Sequence, residues 1–159
     1  MPLSPDALRK LQEMPVLLRE AGRNLSDADL RRAPSHGGFS LVEQACHLRD
    51  LEGEGYLVRI ERILREEHPF LEDFDGMRIA AERNYRAQDF AAAVNGFERS
   101  RSKTVELLSG ATDEQLNRAG EFGSSGRITL RELAGMMAEH DAGHRGEIEE
   151  LLAEIRGDS

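Results

Sequence analysis

The chain has one cysteine, no tryptophan and few aromatic residues, and each scarcity excludes a class of protein. Cys46 has no partner for an internal disulfide, which excludes a disulfide scaffold and is typical of a reducing compartment. Aromatic residues make up only 5% of the chain, which argues against a β-rich core. No apolar run approaches the roughly 20 residues that cross a bilayer, and charges between Asp6 and Glu13 interrupt any secretory signal. We therefore expect a cytoplasmic protein that does not enter a membrane.

Positive charge is also in short supply. Lys and Arg number 21 against 30 Asp and Glu, which leaves a net charge of -9. Phosphate backbones are repelled by such a surface on average, so we expect no nucleic-acid partner. The 159 residues suit one domain with one core, residues 1–159, and 39% hydrophobic with 32% charged residues is typical of a helix-rich protein.

Helical periodicity covers most of the chain, and strand signals are nearly absent. Four long helices are predicted, each with one apolar stripe, and short helical segments are predicted at 27–32, 75–86 and 112–115. The long helices begin at the capping residues Ser4, Ser40, Asp89 and Thr129 and run to Gly22, Pro69, Gly110 and Gly157 respectively. We interpret the glycine-rich stretch 121–127 as a flexible loop. Single apolar stripes are buried most simply in a four-helix bundle, so the expected fold is all-α.

Two of the five histidines share one face of the last helix. His140 and His144 are four residues apart, so they lie one turn from each other beside the apolar stripe. One interpretation is a pair of hydrogen-bonded histidines at the edge of the core. The other is half of a metal site, because a divalent cation satisfies both lone pairs at once. The pair by itself leaves both interpretations open.

His47 favours the metal site. It lies among apolar positions of the second long helix, so it is expected near the interior and offers a third ligand from another helix. Three protein ligands leave positions open for water or substrate, as in catalytic sites. Cys46 points about 100° away from His47 and is interpreted as a core residue. His36 and His68 are expected in loops or at the surface.

Other polar residues near the histidines are expected to have ordinary roles. Glu43, Asp50 and Glu147 are within helical reach of the histidines and could orient an imidazole, but a solvated charge is the simpler interpretation for each. Surface roles are expected likewise for the arginines that could attract an anion, namely Arg49, Arg127, Arg131 and Arg145. The stretch 120–126 lacks the Lys and Ser/Thr of a phosphate-binding loop.

Two segments together resemble a known family. Residues 39–52 (FSLVEQACHLRDLE) place a histidine seven residues after a Ser cap and continue as His-Leu-x-Asp, and residues 140–148 (HDAGHRGEI) contain His-x-x-x-His. This order and spacing resemble the DinB/YfiT-like superfamily of metal-dependent enzymes. Many relatives have a tryptophan just before the Ser cap, where this chain has Phe39.

The resemblance implies an up-down-down-up four-helix bundle with a long crossover. It also implies a divalent metal, nickel or zinc, held by His47, His140 and His144, and a homodimer. Some relatives transfer groups to a low-molecular-weight thiol such as bacillithiol or mycothiol, and others are named as hydrolases. The expected function is therefore a metal-dependent S-transferase or hydrolase acting on a small molecule. The alternatives are a non-catalytic metal-binding or stress-associated dimeric bundle and a metal-free bundle with hydrogen-bonded histidines.

Overall fold

Four long helical rods form the body of the molecule in a computed structural model that describes residues 1–157. The helices are α1 Pro5–Ala21, α2 Asp27–Leu30, α3 Leu41–Asp50, α4 Leu57–Arg65, α5 Gly76–Glu82, α6 Phe90–Ser109, α7 Asp113–Leu116 and α8 Leu130–Gly157. A π-helical segment, Leu51–Tyr56, joins α3 to α4. The rods are α1, α3 with α4, α6 and α8, which confirms the predicted four-helix bundle.

Side-chain caps set the beginnings of these helices, as the sequence predicts. The Ser4, Ser40 and Asp89 side chains accept hydrogen bonds from the backbone N–H three residues ahead. At the start of α8, Thr129 Oγ1 accepts from the Glu132 N–H at 3.0 Å while Thr129 N–H donates to the Glu132 carboxylate at 3.2 Å. These caps satisfy N–H groups that have no partner inside the helix.

The π-helical segment explains the two glycines inside the second rod. Here the Leu57 N–H donates to the carbonyl of Glu52, five residues back rather than four. A Cβ added at Gly53 would lie 3.3 Å from Ser100 Oγ on α6, so the small residue allows close helix packing. The local irregularity and the close helix packing at Gly53 therefore coincide.

The prediction of a flexible loop at 121–127 is wrong. Residues Ala119–Phe122 (β2) and Gly126–Thr129 (β3) form an antiparallel hairpin, and β2 also pairs in parallel with the short strand β1, Phe70–Leu71. Phe122 and Ile128 face the core and are nearly fully buried, which stabilises the hairpin. An apolar alternation this short, flanked by glycines, gives little signal in the sequence.

The crossover from α4 to α6 is less helical than predicted. α4 ends at Arg65 rather than at Pro69, and the helix predicted over 75–86 ends at Glu82. Asn84 stops it by adopting a left-handed conformation with φ of 49°, after which Tyr85–Ala87 forms one 3₁₀ turn. The crossover thus carries β1, which pairs with the hairpin, and α5, which packs against α3.

Two apolar clusters lie within the described part of the bundle. In the rods, α6 packs against α1 and α3, and α8 packs against α1 and α3. One cluster contains Ile60, Leu133 and the hairpin residue Phe122, and the other contains Phe97 and Ile148. No helix within residues 1–157 is both long and apolar enough to cross a membrane.

Candidate metal centre

The structure brings the three predicted histidines together. His47 lies on α3, whereas His140 and His144 lie one turn apart on α8. One nitrogen from each imidazole lies within 4.8 Å of the others. The ring centroids are 4.5 Å apart for His140 and His144, 4.9 Å for His47 and His144, and 5.9 Å for His47 and His140. One cation between the rings is within reach of all three.

All three imidazoles are held in the neutral form that binds metal. Burial is the largest cause, and it lowers the pKa of each histidine below the ordinary 6.5. For His47, repulsion by the other two rings adds to burial and the pKa falls to about 4. Neutral imidazoles keep a free lone pair at neutral pH, so no proton needs to leave before a cation binds.

A hydrogen-bonded chain fixes the orientation of His144. Gln44 Nε2 donates to a carboxylate oxygen of Glu147 at 2.8 Å, which turns Gln44 Oε1 toward His144. His144 Nδ1 lies 2.8 Å from that oxygen and therefore carries the proton that it donates. The lone pair is then on Nε2, the other ring nitrogen. Carboxylate, amide and imidazole together select the tautomer, a common arrangement beside metal ligands.

His47 has unused hydrogen-bonding capacity and little room to move. Its Nδ1 is buried and has no hydrogen-bond partner among residues 1–157. Gly76, the first residue of α5, lies against the ring: a Cβ at this position would be 2.8 Å from His47 Cε1 and 3.0 Å from Nδ1. A buried imidazole nitrogen without a partner is unfavourable in a metal-free site, and a bound ion would complete it.

A pocket of about 440 Å³ opens onto the three histidines. Its remaining wall consists of Gly38, Phe39, Gly76, Met77 and Glu147. The rings of Phe39 and Phe74 lie 5.4 and 6.4 Å from the His47 ring, so apolar groups shield this imidazole from water. The volume suits a small organic molecule rather than a polymer.

A buried charged cluster lies next to the histidines. Arg101 on α6 is 2% exposed; it donates to both carboxylate oxygens of Asp141, at 2.7 and 3.1 Å, and to Glu52 at 2.9 Å. Two carboxylates against one guanidinium leave one negative charge in excess. The electric field of Asp141 and Glu52 favours positive charge at His140, which is next to Asp141 in the sequence. The same field would favour a cation there.

The structure also places the other residues that the sequence singles out. Cys46 is fully buried in the core as predicted, and burial raises the pKa of its thiol to about 11. The side chains of His36 and His68 are exposed, and His68 pairs with Glu121 at 2.9 Å. Asp50, expected to be solvated, is instead buried, and it accepts a hydrogen bond from the Tyr85 hydroxyl at 2.6 Å.

Comparisons with known proteins agree with this arrangement. Residues 10–148 match the family model of the DinB superfamily, which covers most of the chain. The chain belongs to the DinB superfamily. It is 24% identical to a Bacillus subtilis (strain 168) protein named "Putative metal-dependent hydrolase YfiT" over 145 residues, which are 91% of this chain and 81% of YfiT. The solved structure of B. subtilis YfiT, described as an unusual four-helix bundle, has a TM-score of 0.87 at 23% identity and covers 96% of this chain and 90% of its own.

Sequence reasoning found the histidines of this DinB protein but missed what surrounds them. Gln44 is in the quoted family segment, yet only the fold shows that it faces His144 across 100 residues of sequence. Phe74 and Gly76 come from the crossover, where the helix predicted over 75–86 gave no functional signal. The beginning of that helix is confirmed, because the Asp75 carboxylate caps it by accepting from the Arg78 N–H.

Proposed function

We propose that this DinB protein is a divalent-metal-dependent enzyme that acts on a small molecule, with hydrolysis as the leading reaction. The observation that carries the proposal is the convergence of three neutral imidazoles at the base of an open pocket. Three protein ligands would leave coordination positions free, which distinguishes catalytic from structural sites. The similarity to YfiT, whose name describes a metal-dependent hydrolase, supports the choice of hydrolysis.

The residues present fit a zinc or nickel ion. Imidazole nitrogens are suitable donors for both metals, and the partnerless Nδ1 of His47 and the excess negative charge beside His140 favour a cation. When bound, such an ion acts as a Lewis acid toward a carbonyl or a water molecule. The protein contributes the orientation of His144 through Gln44 and the apolar shielding of His47 by Phe39.

Metal content tests the site directly. Untagged protein, purified without chelator and supplemented with zinc or nickel, is expected to contain about one divalent ion per chain. His47→Ala and His140→Ala should lose the ion, and with it the increase in Tm that a ligand of the folded state produces. His36→Ala is the matched control, because this imidazole is exposed and does not belong to the three-histidine cluster. Full metal content in both site variants would overturn the three-histidine site.

The reaction class is tested with the metal-loaded protein. Ester and amide panels report hydrolysis, and electrophiles offered with a low-molecular-weight thiol report S-transfer, the second reaction that the family resemblance suggests. Turnover that needs no thiol and is lost in His140→Ala would support hydrolysis. Turnover only with thiol would replace it by S-transfer. Stoichiometric metal without turnover in either panel would favour the alternative of a non-catalytic metal-binding or stress-associated bundle, and light scattering on the same samples tests the expected homodimer.

A further inference from the structure

A second pocket, of about 330 Å³, adjoins the histidine cluster. Its wall includes Tyr56, Arg59, Asp73, Phe122 and His140. His140 also lines the pocket over the three histidines, so the two pockets meet at this imidazole. The Tyr56 ring links the two ends of the second pocket, because its centroid is 6.1 Å from the His140 ring and 5.5 Å from the guanidinium carbon of Arg59.

Arg59 is a buried cation without an ion pair. The residue is 8% exposed, and no carboxylate of residues 1–157 lies within ion-pair distance of it, although the charge of Asp73 in the same pocket acts on it from farther away. Within residues 1–157 its one hydrogen bond to protein runs from Nη2 to the carbonyl oxygen of Glu72 at 3.1 Å. Arg101, the other buried arginine, is by contrast paired with two carboxylates. Burial lowers the pKa of Arg59, and the nearby charge of Asp73 offsets only part of that effect.

The groups around Arg59 indicate which kind of ligand group would bind to it. Its guanidinium carbon lies 4.8 Å from the Phe122 ring centroid and 5.5 Å from that of Tyr56, so aromatic rings cover the group while unused N–H donors remain. A planar fork of N–H donors matches the two oxygens of a carboxylate.

Asp73 limits the charge that this pocket accepts. Its carboxylate lines the same cavity and accepts a hydrogen bond from Ser124 Oγ at 3.2 Å. Its negative charge repels a dianion more strongly than a monoanion. With a single arginine and a net charge of -9 on the chain, the pocket favours a carboxylate over a phosphate.

We propose that Arg59 binds a carboxylate of the substrate and thereby holds the reacting part of the same molecule beside His140. The substrates are then small carboxylate-bearing molecules. This assignment rests on the proposed function, since it places the substrate between Arg59 and the three-histidine site. Arg59 acts as a specificity-determining residue and takes no part in metal binding.

Binding of a matched pair of probes tests the assignment. Butyrate and butyramide are nearly equal in size and differ in charge, and each is titrated into the full-length protein while NMR spectra are recorded. Butyrate should bind about tenfold more tightly than butyramide, because a charged hydrogen bond to Arg59 is lost with the amide. The preference should disappear in Arg59→Met. Arg59→Gln, which keeps an N–H donor for the Glu72 carbonyl, gives the same test if the methionine variant is unstable.

Three comparisons separate this proposal from its rivals. Since a carboxylate could also bind a metal, the titration is repeated after chelator dialysis, where the butyrate preference should persist. A preference that survives in Arg59→Met and Arg59→Gln, or vanishes with the metal, would overturn the role of Arg59. Tighter binding of inorganic phosphate than of butyrate would overturn the carboxylate assignment. If the three-histidine site does not bind metal, elemental analysis shows this independently. Neither Arg59 variant should change the metal content.

Discussion

At the scale of single residues, Gly76 matters for the space that it leaves open. A Cβ at this position would lie 2.8 Å from Cε1 of the His47 ring, which is shorter than the contacts that Cβ atoms make in proteins. The neighbour is an imidazole packed between aromatic rings, so it has little freedom to retreat. The crossover can approach the histidines this closely only because the residue is glycine.

Substitution of this glycine should therefore disturb the site more than the fold. We expect Gly76→Ala to displace the His47 ring and to weaken metal binding by about tenfold or more, as disturbed ligand orientation commonly does. Overpacking of this kind should reduce the free energy of unfolding by about 1 to 3 kcal/mol. Metal affinity from chelator competition and stability from urea denaturation check the two effects.

Gly143→Ala is the matched control for that substitution. Gly143 precedes His144, lies on the exposed side of α8 and would have nothing within 4 Å of its new Cβ. It should raise stability by up to about 1 kcal/mol, since alanine favours helix, and leave metal affinity unchanged. Equal affinity losses in the two variants would show that the contact between Gly76 and His47 has no role in metal binding.

The residues missed by sequence reasoning share one physical property. Gln44 and Arg59 act on atoms far away in the chain: Gln44 contacts His144, and Arg59 contacts Phe122 of the hairpin. Periodicity shows which face of a helix is apolar, but it does not show which polar residue on that face meets which neighbour. The histidines were predictable because their spacing within one helix, together with a third imidazole at a buried position, is itself a chemical pattern.

At the scale of secondary-structure elements, one side chain connects several helices. Arg101 of α6 donates to the carbonyl of Leu11 in α1, to Glu52 in the π-helical segment and to Asp141 in α8. Its guanidinium also lies over the Phe97 ring, 4.9 Å from the centroid. These contacts lie where each of the rods passes from one apolar cluster to the other.

Removal of this guanidinium should be strongly destabilising. Arg101→Met leaves two buried carboxylates without their cation, and such a loss costs about 3 to 5 kcal/mol. Arg9→Met is the matched control, because Arg9 also pairs with two carboxylates, Asp6 and Glu13, but at the exposed surface. It should leave the free energy of unfolding nearly unchanged, because exposed ion pairs contribute little. Urea denaturation of both variants measures the difference, and similar values would contradict the interpretation.

Most elements were predictable, because their signals are local. The long helices have capping side chains at their beginnings, and the chain order of caps, apolar stripes and breaks determines the bundle. The hairpin was not predictable, because its stability depends on burying Phe122 and Ile128 against elements distant in sequence. The left-handed Asn84 that shortens α5 does have a local signal, since asparagine adopts this conformation more readily than most residues, but the sequence analysis did not use it.

At the scale of the whole molecule, the histidine cluster couples stability to pH. Folding lowers the pKa of all three imidazoles, that of His47 from 6.5 to about 4. Between these pH values the unfolded chain binds more protons than the folded chain, so the free energy of unfolding decreases as the pH falls. Above pH 6.5 this pH-dependent part of the free energy of unfolding is fully present. For His47 alone it amounts to roughly 3 kcal/mol.

Denaturation of the metal-free protein at a series of pH values measures this dependence. We expect a decline in stability between pH 6.5 and 4, and a shallower decline in His47→Gln. His36→Ala, which removes an exposed histidine, should reproduce the unaltered profile. A wild-type profile that stays level across this window would show that the cluster is not buried in the neutral form.

The irregular turn between α3 and α4 has a consequence for comparing this chain with its relatives. Hydrogen bonds that span five residues accommodate one extra residue in a rod that otherwise keeps the α-helical repeat. Each residue turns an α-helix by about 100°, so a relative without the insertion would present a different position to the second pocket. An alignment that ignores this offset would assign the counterpart of Arg59 to the wrong residue. Loss of one residue from this segment would thus turn Arg59 away from the second pocket and leave His47, which precedes the segment, in place.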